Sequence, residues 1–367
     1  MGVSPPGPTD FPPAPPRANP WRAVVVILVT VVLILAALTA FWFVTKTGPF
    51  SQIEPSVWAL NAMHVPDLRG RGLDGTGVRV CVVDTGVDLT HPELAGLHLA
   101  AWKDFVNRQS APYDDEGHGT AMTGIIFAHG ILPGVAPNAD LIAAKAISSS
   151  GTGSDSAIAN AIRFCLDPNA DGDLRNDGAN VISLSLGGTN HPFLGSATTS
   201  AVDNATSNGV YVVAAAGNDG QNDDGDVESP ASEPSVIAVG AVDREGVIAP
   251  FSSIGGANWG FPPVARTDPN KKPEVVAPGV EIATPLNQGR YAYVSGTSPA
   301  AAFVSGIVAL LLQGHPSYEW NPAKLTALKT ALMQSAEREP GQQAGPHDPH
   351  YGYGLVAAGP WHDVLPP

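Results

Sequence analysis

The chain has 367 residues, and 19 Lys plus Arg against 34 Asp plus Glu give a formal net charge of −15. That sign argues against nucleic acid or an anionic lipid surface as the main partner, because phosphate recognition needs clustered cations. Forty Gly and 35 Pro without a collagen period or heptads exclude a long coiled coil and a minimal helical bundle, and two Cys exclude a disulfide scaffold.

Residues 1–22 read as a Pro-rich tail, solvated and extended. Ala23–Val44 follows, 22 residues without a charge; as a helix it reaches about 33 Å, enough to cross a bilayer core. Trp21, Phe41, Trp42 and Phe43 stand at its two ends, where aromatic belts form. Arg17 and Arg22 precede the span and Lys46 alone follows closely, so the positive-inside bias predicts a single-pass protein of the cell membrane. Its N-terminus is then cytoplasmic, with residues 45–54 as a linker and 55–367 an extracytoplasmic domain.

In that domain, Val78–Val83 is an apolar run after the turn residues Asp74-Gly75-Thr76-Gly77 and reads as a strand buried on both faces. Similar runs recur at Leu141–Ile147, Val181–Ser185, Val210–Ala216 and Val236–Val242. Helical stretches separate them, at Ser154–Leu166 and around Thr198–Ser207. Gly306–Leu312 continues a long apolar helix, and Pro322–Ser335 is amphipathic with Pro in its first turn. Strand and helix alternating over some 300 residues predict an α/β fold with a doubly wound parallel sheet, its site at the carboxyl ends of the strands. No internal repeat is visible.

Three residues in these contexts can make one site. Asp84 ends the first strand, His118 lies between Gly117 and Gly119, and Ser298 stands where a Gly-containing turn enters the long apolar helix. Singly, each has a plain reading as a helix cap or surface residue. Together they meet a chemical need: a serine hydroxyl attacks well only if a base takes its proton, and a His serves only if a buried carboxylate fixes its tautomer. The segments DTGVDLTHPEL, GHGTAMTG, AAAGNDG and SGTSPAAAFVSG, in the order Asp, His, Asn, Ser, resemble the catalytic blocks of the subtilisin-like serine peptidases. The resemblance extends over about residues 55–357. It implies a three-layer αβα domain hydrolysing peptide bonds with no cofactor required for the chemistry. Ser298 is then the nucleophile, His118 the general base and acid, Asp84 its orienting partner and Asn218 an oxyanion donor.

The same resemblance implies that Ser185-Leu186-Gly187-Gly188 and Gly151-Thr152-Gly153 sandwich a polypeptide substrate as an added strand. Asp219 and Glu228 fall near the pocket for the side chain before the scissile bond, where a carboxylate favours Lys or Arg; both also read as solvated members of an acidic loop. Asp167, Asn169, Asp171 and Asp173 form the front half of a calcium loop, with Gly178 where its closing Glu belongs; a turn-rich helix exit is the other reading. Glu93 replaces a family Asp expected to help ligate a second calcium. Cys81 and Cys165 are expected as buried free thiols, a single disulfide being the alternative. About ten residues separate Val44 from the first family-like segment, too few for the family's usual prodomain, which predicts slow unaided folding or a helper in trans. Pro299, directly after Ser298, biases its neighbour away from the helical region. That departure feeds the rival expectation, a membrane-anchored peptide-binding domain without turnover. Oligomeric state is left open.

Overall fold

The computed structural model describes residues 53–188, 196–220, 225–260 and 262–366. The predicted tail and membrane helix, and most of the linker, lie outside the described residues. Seven short strands make the central sheet: β1 (Arg79–Asp84), β2 (Leu99–Asp104), β3 (Asp140–Lys145), β4 (Val181–Leu184), β5 (Tyr211–Ala215), β6 (Ile237–Val242) and β7 (Val275–Pro278). Their order is β2-β3-β1-β4-β5-β6-β7, and every neighbouring pair is parallel. Strands β4 to β7 are buried at every position, as a sheet covered on both faces demands.

The sequence anticipates five of these strands to within two residues. It misses β2, an edge strand whose LAAWKD pattern is mostly half-buried or exposed and carries no apolar run. It also misses β7, which has four residues and ends in Pro278. An antiparallel hairpin, β8 (Ile282–Leu286) with β9 (Arg290–Val294), leads from the sheet to the serine.

Eight α-helices of six residues or more stand among the described residues: α1 (Val57–Ala62), α2 (Val65–Gly70), α3 (His118–Phe127), α4 (Asp155–Leu166), α5 (Ala197–Ser207), α6 (Thr297–Gly314), α7 (Leu325–Ser335) and α8 (Ala358–Val364). Because strand side chains alternate, the sheet feeds two cores. Val80, Val82, Val213 and Val239 point to one, with α3 and α6; Val83, Ile142, Ile182 and Val212 point to the other, with α4 and α5. Helix α6 is buried without a break from Thr297 to Leu312. Among the described residues it is the one helix long and apolar enough to cross a membrane, but 89% of it is enclosed by the protein, so it is a core helix.

Cys81 and Cys165 form a disulfide, with Cα atoms 5.8 Å apart, which overturns the free-thiol expectation. Cys81 projects from β1 toward the α4 side of the sheet, and Cys165 lies in the last turn of α4. A separation of 84 residues hid that adjacency.

Candidate active site

The chain enters the sheet at β1, then builds outward to β3 on one side and β4 on the other. The crevice beyond the carboxyl end of β1 is therefore the topological switch point, where open α/β sheets place ligands. Asp84 is the last residue of β1 and is buried. Its Oδ1 and Oδ2 lie 2.8 and 3.0 Å from His118 Nδ1, and Oδ1 also accepts from the Thr85 amide at 2.7 Å.

His118 is the first residue of α3, so the ring is set by where the helix begins. Asp114 fixes that point: its carboxylate accepts from Thr85 Oγ1 and the Glu116, Gly117 and Thr120 amides at 2.8 to 3.1 Å, and from Thr120 Oγ1. Thr85 Oγ1 in turn accepts from the Gly119 amide at 2.8 Å. A Cβ at Gly119 would collide with the Gly86 carbonyl, so glycine is what lets the helix start this close to β1. Burial alone lowers the His118 pKa, but the charge and hydrogen bond of Asp84, with Glu116 and Asp114 behind, push it up to about 9. Lys145 is buried beside this group, donating to the Thr85 carbonyl, to Asp115 Oδ1 at 2.6 Å and to the Ile147 carbonyl at 2.9 Å.

Ser298 is the second residue of α6, buried at the helix entry. Pro299 sits within that first turn, where a backbone N–H has no intrahelical acceptor, and the helix forms with Ser298 inside it. Ser298 Oγ donates to the Ser185 carbonyl at 3.3 Å, and Ser185 Oγ donates to the Ser298 carbonyl at 3.2 Å. In this conformation the hydroxyl is engaged by Ser185 rather than by His118.

Asn218 follows β5. Its Oδ1 accepts from the Thr297 amide at 2.9 Å and from Thr297 Oγ1 at 3.1 Å, which fixes the side chain beside the start of α6. Thr297 Oγ1 also accepts from the Gly217 amide at 3.1 Å. Thr297 and Asp114 are the two residues that the sequence reading missed. The acid four residues ahead of His118, in DDEGHGT, was the available signal for the second.

The predicted substrate segments rise from the strands flanking β1. Gly151, Thr152 and Gly153 belong to an exposed turn after β3, closed by Ser148 N to the Thr152 carbonyl at 2.9 Å. Ser185, Leu186, Gly187 and Gly188 follow β4, and Gly188 exchanges backbone hydrogen bonds with Ser229 at 3.0 and 3.2 Å. The two predicted pocket carboxylates separate. Asp219 accepts from Ser253 Oγ, whereas Glu228 Oε1 accepts from the Asn218 amide at 3.3 Å.

The calcium loop does not assemble a cation cage. Asp167 accepts from the Asp171 and Gly172 amides at 3.1 and 3.0 Å. Asn169 accepts from the Asp171 amide and Asp171 from the Asp173 amide, both at 2.8 Å. Asp173 caps the short turn Leu174–Asp177 through the Arg175 amide. Asp177 Oδ1 is buried without a partner, but one open oxygen falls far short of the six to eight that calcium takes. Among the described residues no group of three or more His, Cys, Asp or Glu converges as a metal site. These residues do not fit calcium as arranged. Glu93 is likewise engaged, accepting from the Ile131 and Leu132 amides and from Tyr291 Oη at 2.8 to 3.1 Å.

With that geometry in view, the subtilase family model matches residues 75–354, three quarters of the chain. The chain belongs to the subtilase family. It is 37% identical over 267 residues to subtilisin NAT of Bacillus subtilis subsp. natto, covering 71% of this chain and 62% of that protein. It is 37% identical over 284 residues to an alkaline protease of Alkalihalobacillus alcalophilus, 76% of this chain and 66% of the relative. Against subtilisin of Bacillus pumilus it is 37% identical over 267 residues, 71% of this chain and 86% of the relative. The chain thus spans about three fifths of the length of several curated subtilisins that it matches. In a subtilase, a seven-stranded parallel sheet between helix layers is the expected frame, and it is the frame found here.

Proposed function

We propose that this subtilase is a serine endopeptidase, anchored in the membrane by residues 23–44 with its N-terminus cytoplasmic, that cleaves extended polypeptides. The observation that carries the catalytic reading is the buried Asp84 carboxylate with both oxygens at 2.8 and 3.0 Å from His118 Nδ1. Donating Nδ1–H to Asp84 leaves Nε2 as the basic nitrogen. For attack, Ser298 Oγ gives up its bond to the Ser185 carbonyl and donates to Nε2 instead. As Oγ bonds to the substrate carbonyl carbon, its proton passes to His118, and the same proton then goes to the leaving amine as the peptide bond breaks. Water, deprotonated in turn by His118, releases the acyl group and restores Ser298.

The developing oxyanion is met by Asn218 Nδ2, whose orientation follows from Oδ1 being held by Thr297, and by the Ser298 amide in the unsatisfied first turn of α6. Substrate backbone pairs with residues 151–153 and 185–188 on either side, a mode that favours unfolded segments.

Hydrolysis of a reduced, unfolded polypeptide by the full chain tests this. Ser298→Ala should lower kcat by on the order of 10⁴–10⁶, and adding His118→Ala should cost little more, because the two act as a unit. Turnover that survives Ser298→Ala would contradict the reading, and a chain that binds such a polypeptide but never cleaves it would support the non-catalytic rival. For the anchor, the full chain should stay with membranes through alkaline extraction; release into the supernatant would sink that part.

A further inference from the structure

Strand β2 is an outer strand of the seven-stranded sheet, so one of its edges has no neighbouring strand. Just past its end, the Phe105 amide turns inward to the Lys145 carbonyl of β3 at 2.8 Å. Amides along a strand alternate in direction, so those of Trp102 and Asp104 face outward. A cavity of about 670 Å³ opens at this edge, lined by Trp102, Lys103, Phe105, Arg108, Gln109 and Asn160. The lining is cationic and aromatic in a chain of net charge −15. Lys103 Nζ stands 5.6 Å from the Phe105 ring and 5.5 Å from that of Phe164 in α4. Arg108 is exposed and holds φ at 60°, a left-handed conformation that a non-glycine residue keeps only when its surroundings impose it. Asp104 imposes it here. Its buried carboxylate accepts from the Val106, Asn107 and Gln109 amides and from Tyr113 Oη at 2.8 to 3.0 Å. Those bonds turn the one acidic group of the lining inward, away from the cations. Trp102 is held as well, donating Nε1–H to the Gln109 carbonyl at 3.1 Å. Among the described residues neither Lys103 nor Arg108 pairs with a carboxylate. Arg163, behind Asn160, donates to its Oδ1 at 3.0 Å.

We propose that the outer edge of β2 is a docking site for an extended peptide whose side chains alternate between acidic and apolar. The peptide adds as a further strand, its backbone pairing with the outward groups of Trp102 and Asp104. Neighbouring side chains of a strand point to opposite faces, so one set meets Lys103 on the α4 side and the other meets Trp102. Charge selects the acidic set, because a carboxylate gains charge-assisted hydrogen bonds from Lys103 and Arg108 and a cation is repelled. A lysine on an edge strand also guards against pairing with other copies. That role accounts for Lys103 alone and leaves the held Arg108 and the cavity unexplained. The site lies beyond β3 from Asp84, apart from residues 151–153 and 185–188, and takes no part in the chemistry at Ser298.

The test is fluorescence anisotropy of a labelled peptide alternating Glu and Val, with the full chain in detergent at low salt. The chain is first treated with a fluorophosphonate so that the probe is not cut. A chain without an active serine does not cut it either, so the result stands apart from the peptidase reading. The acidic peptide should bind at least about tenfold tighter than one alternating Lys and Val, and Lys103→Glu combined with Arg108→Glu should abolish that preference. N-methylation of one alternate set of peptide amides should weaken binding by about tenfold, and methylation of the other set should not. On binding, hydrogen exchange should slow at residues 102–106. These last two readouts use the unaltered protein and survive a variant that fails to fold. Equal affinity for the acidic and basic peptides, indifference to both methylated sets, or protection confined to residues 151–153 and 185–188 would each overturn the docking site.

Discussion

The two faces of the sheet receive alternate side chains of the same strands, yet they hold their helices by different means. On one face, α3 and α6 bring His118 and Ser298 in at their N-terminal ends, and both helices are enclosed by protein along their length. They approach so closely that a Cβ at Gly124 would collide with Pro285 and one at Gly306 would lie 2.6 Å from Val135 Cβ. On the other face, α4 and α5 keep a solvated side. Each begins with a serine cap, Ser154 accepting from the Ala157 amide and Ser196 from the Thr199 amide, and α4 is tied to β1 by Cys81–Cys165. The contrast teaches that the reactive groups are positioned by helices seated on all sides, while the remaining face is secured by caps and one covalent link.

Two variants sharpen that contrast. Replacing both Cys81 and Cys165 with Ala should lower unfolding stability by about 2–5 kcal/mol, read from denaturant midpoints, because the link closes a long loop. The rate per titrated active site should hold, since the disulfide lies on the face away from Ser298. A rate that collapses with stability intact would show that the two faces are not separable. Gly306→Val should cost less, about 1–3 kcal/mol, through overpacking against Val135. It should nevertheless lower kcat, because the helix that must shift carries the nucleophile. Unchanged kcat in that variant would mean that α6 does not need its close seat.

Much of this was legible in the chain because local signals and chemistry agree there. Asp84 ends an apolar run, His118 stands between glycines, and Ser298 opens a helix, each a place where strand or helix termini present side chains to a crevice. What escaped the sequence depends on contacts between distant segments. Thr297 reaches Asn218 across 79 residues, Ser298 reaches Ser185 across 113, and Cys81 meets Cys165 across 84. Periodicity cannot report such pairings. The same limit explains why Asp219 and Glu228, both acidic and nine residues apart, could not be told apart until Ser253 was seen holding the first and Gly187 and Gly217 flanking the second. Strand β2 was lost for another reason: an edge strand with half-exposed side chains has no apolar run to find.

The most direct test of the central claim is the pH dependence of fluorophosphonate labelling, with the modified residue located by mass spectrometry. Attack on the probe needs His118 neutral, so protonation removes the base and labelling must fall as pH drops through its pKa. Asp84, Glu116 and Asp114 raise that pKa to about 9. The account predicts a label on Ser298 alone, with a rate that climbs with pH and reaches half its plateau well above 6.5, toward about 9. A label on another residue, or a rate flat between pH 6 and about 10, would contradict it.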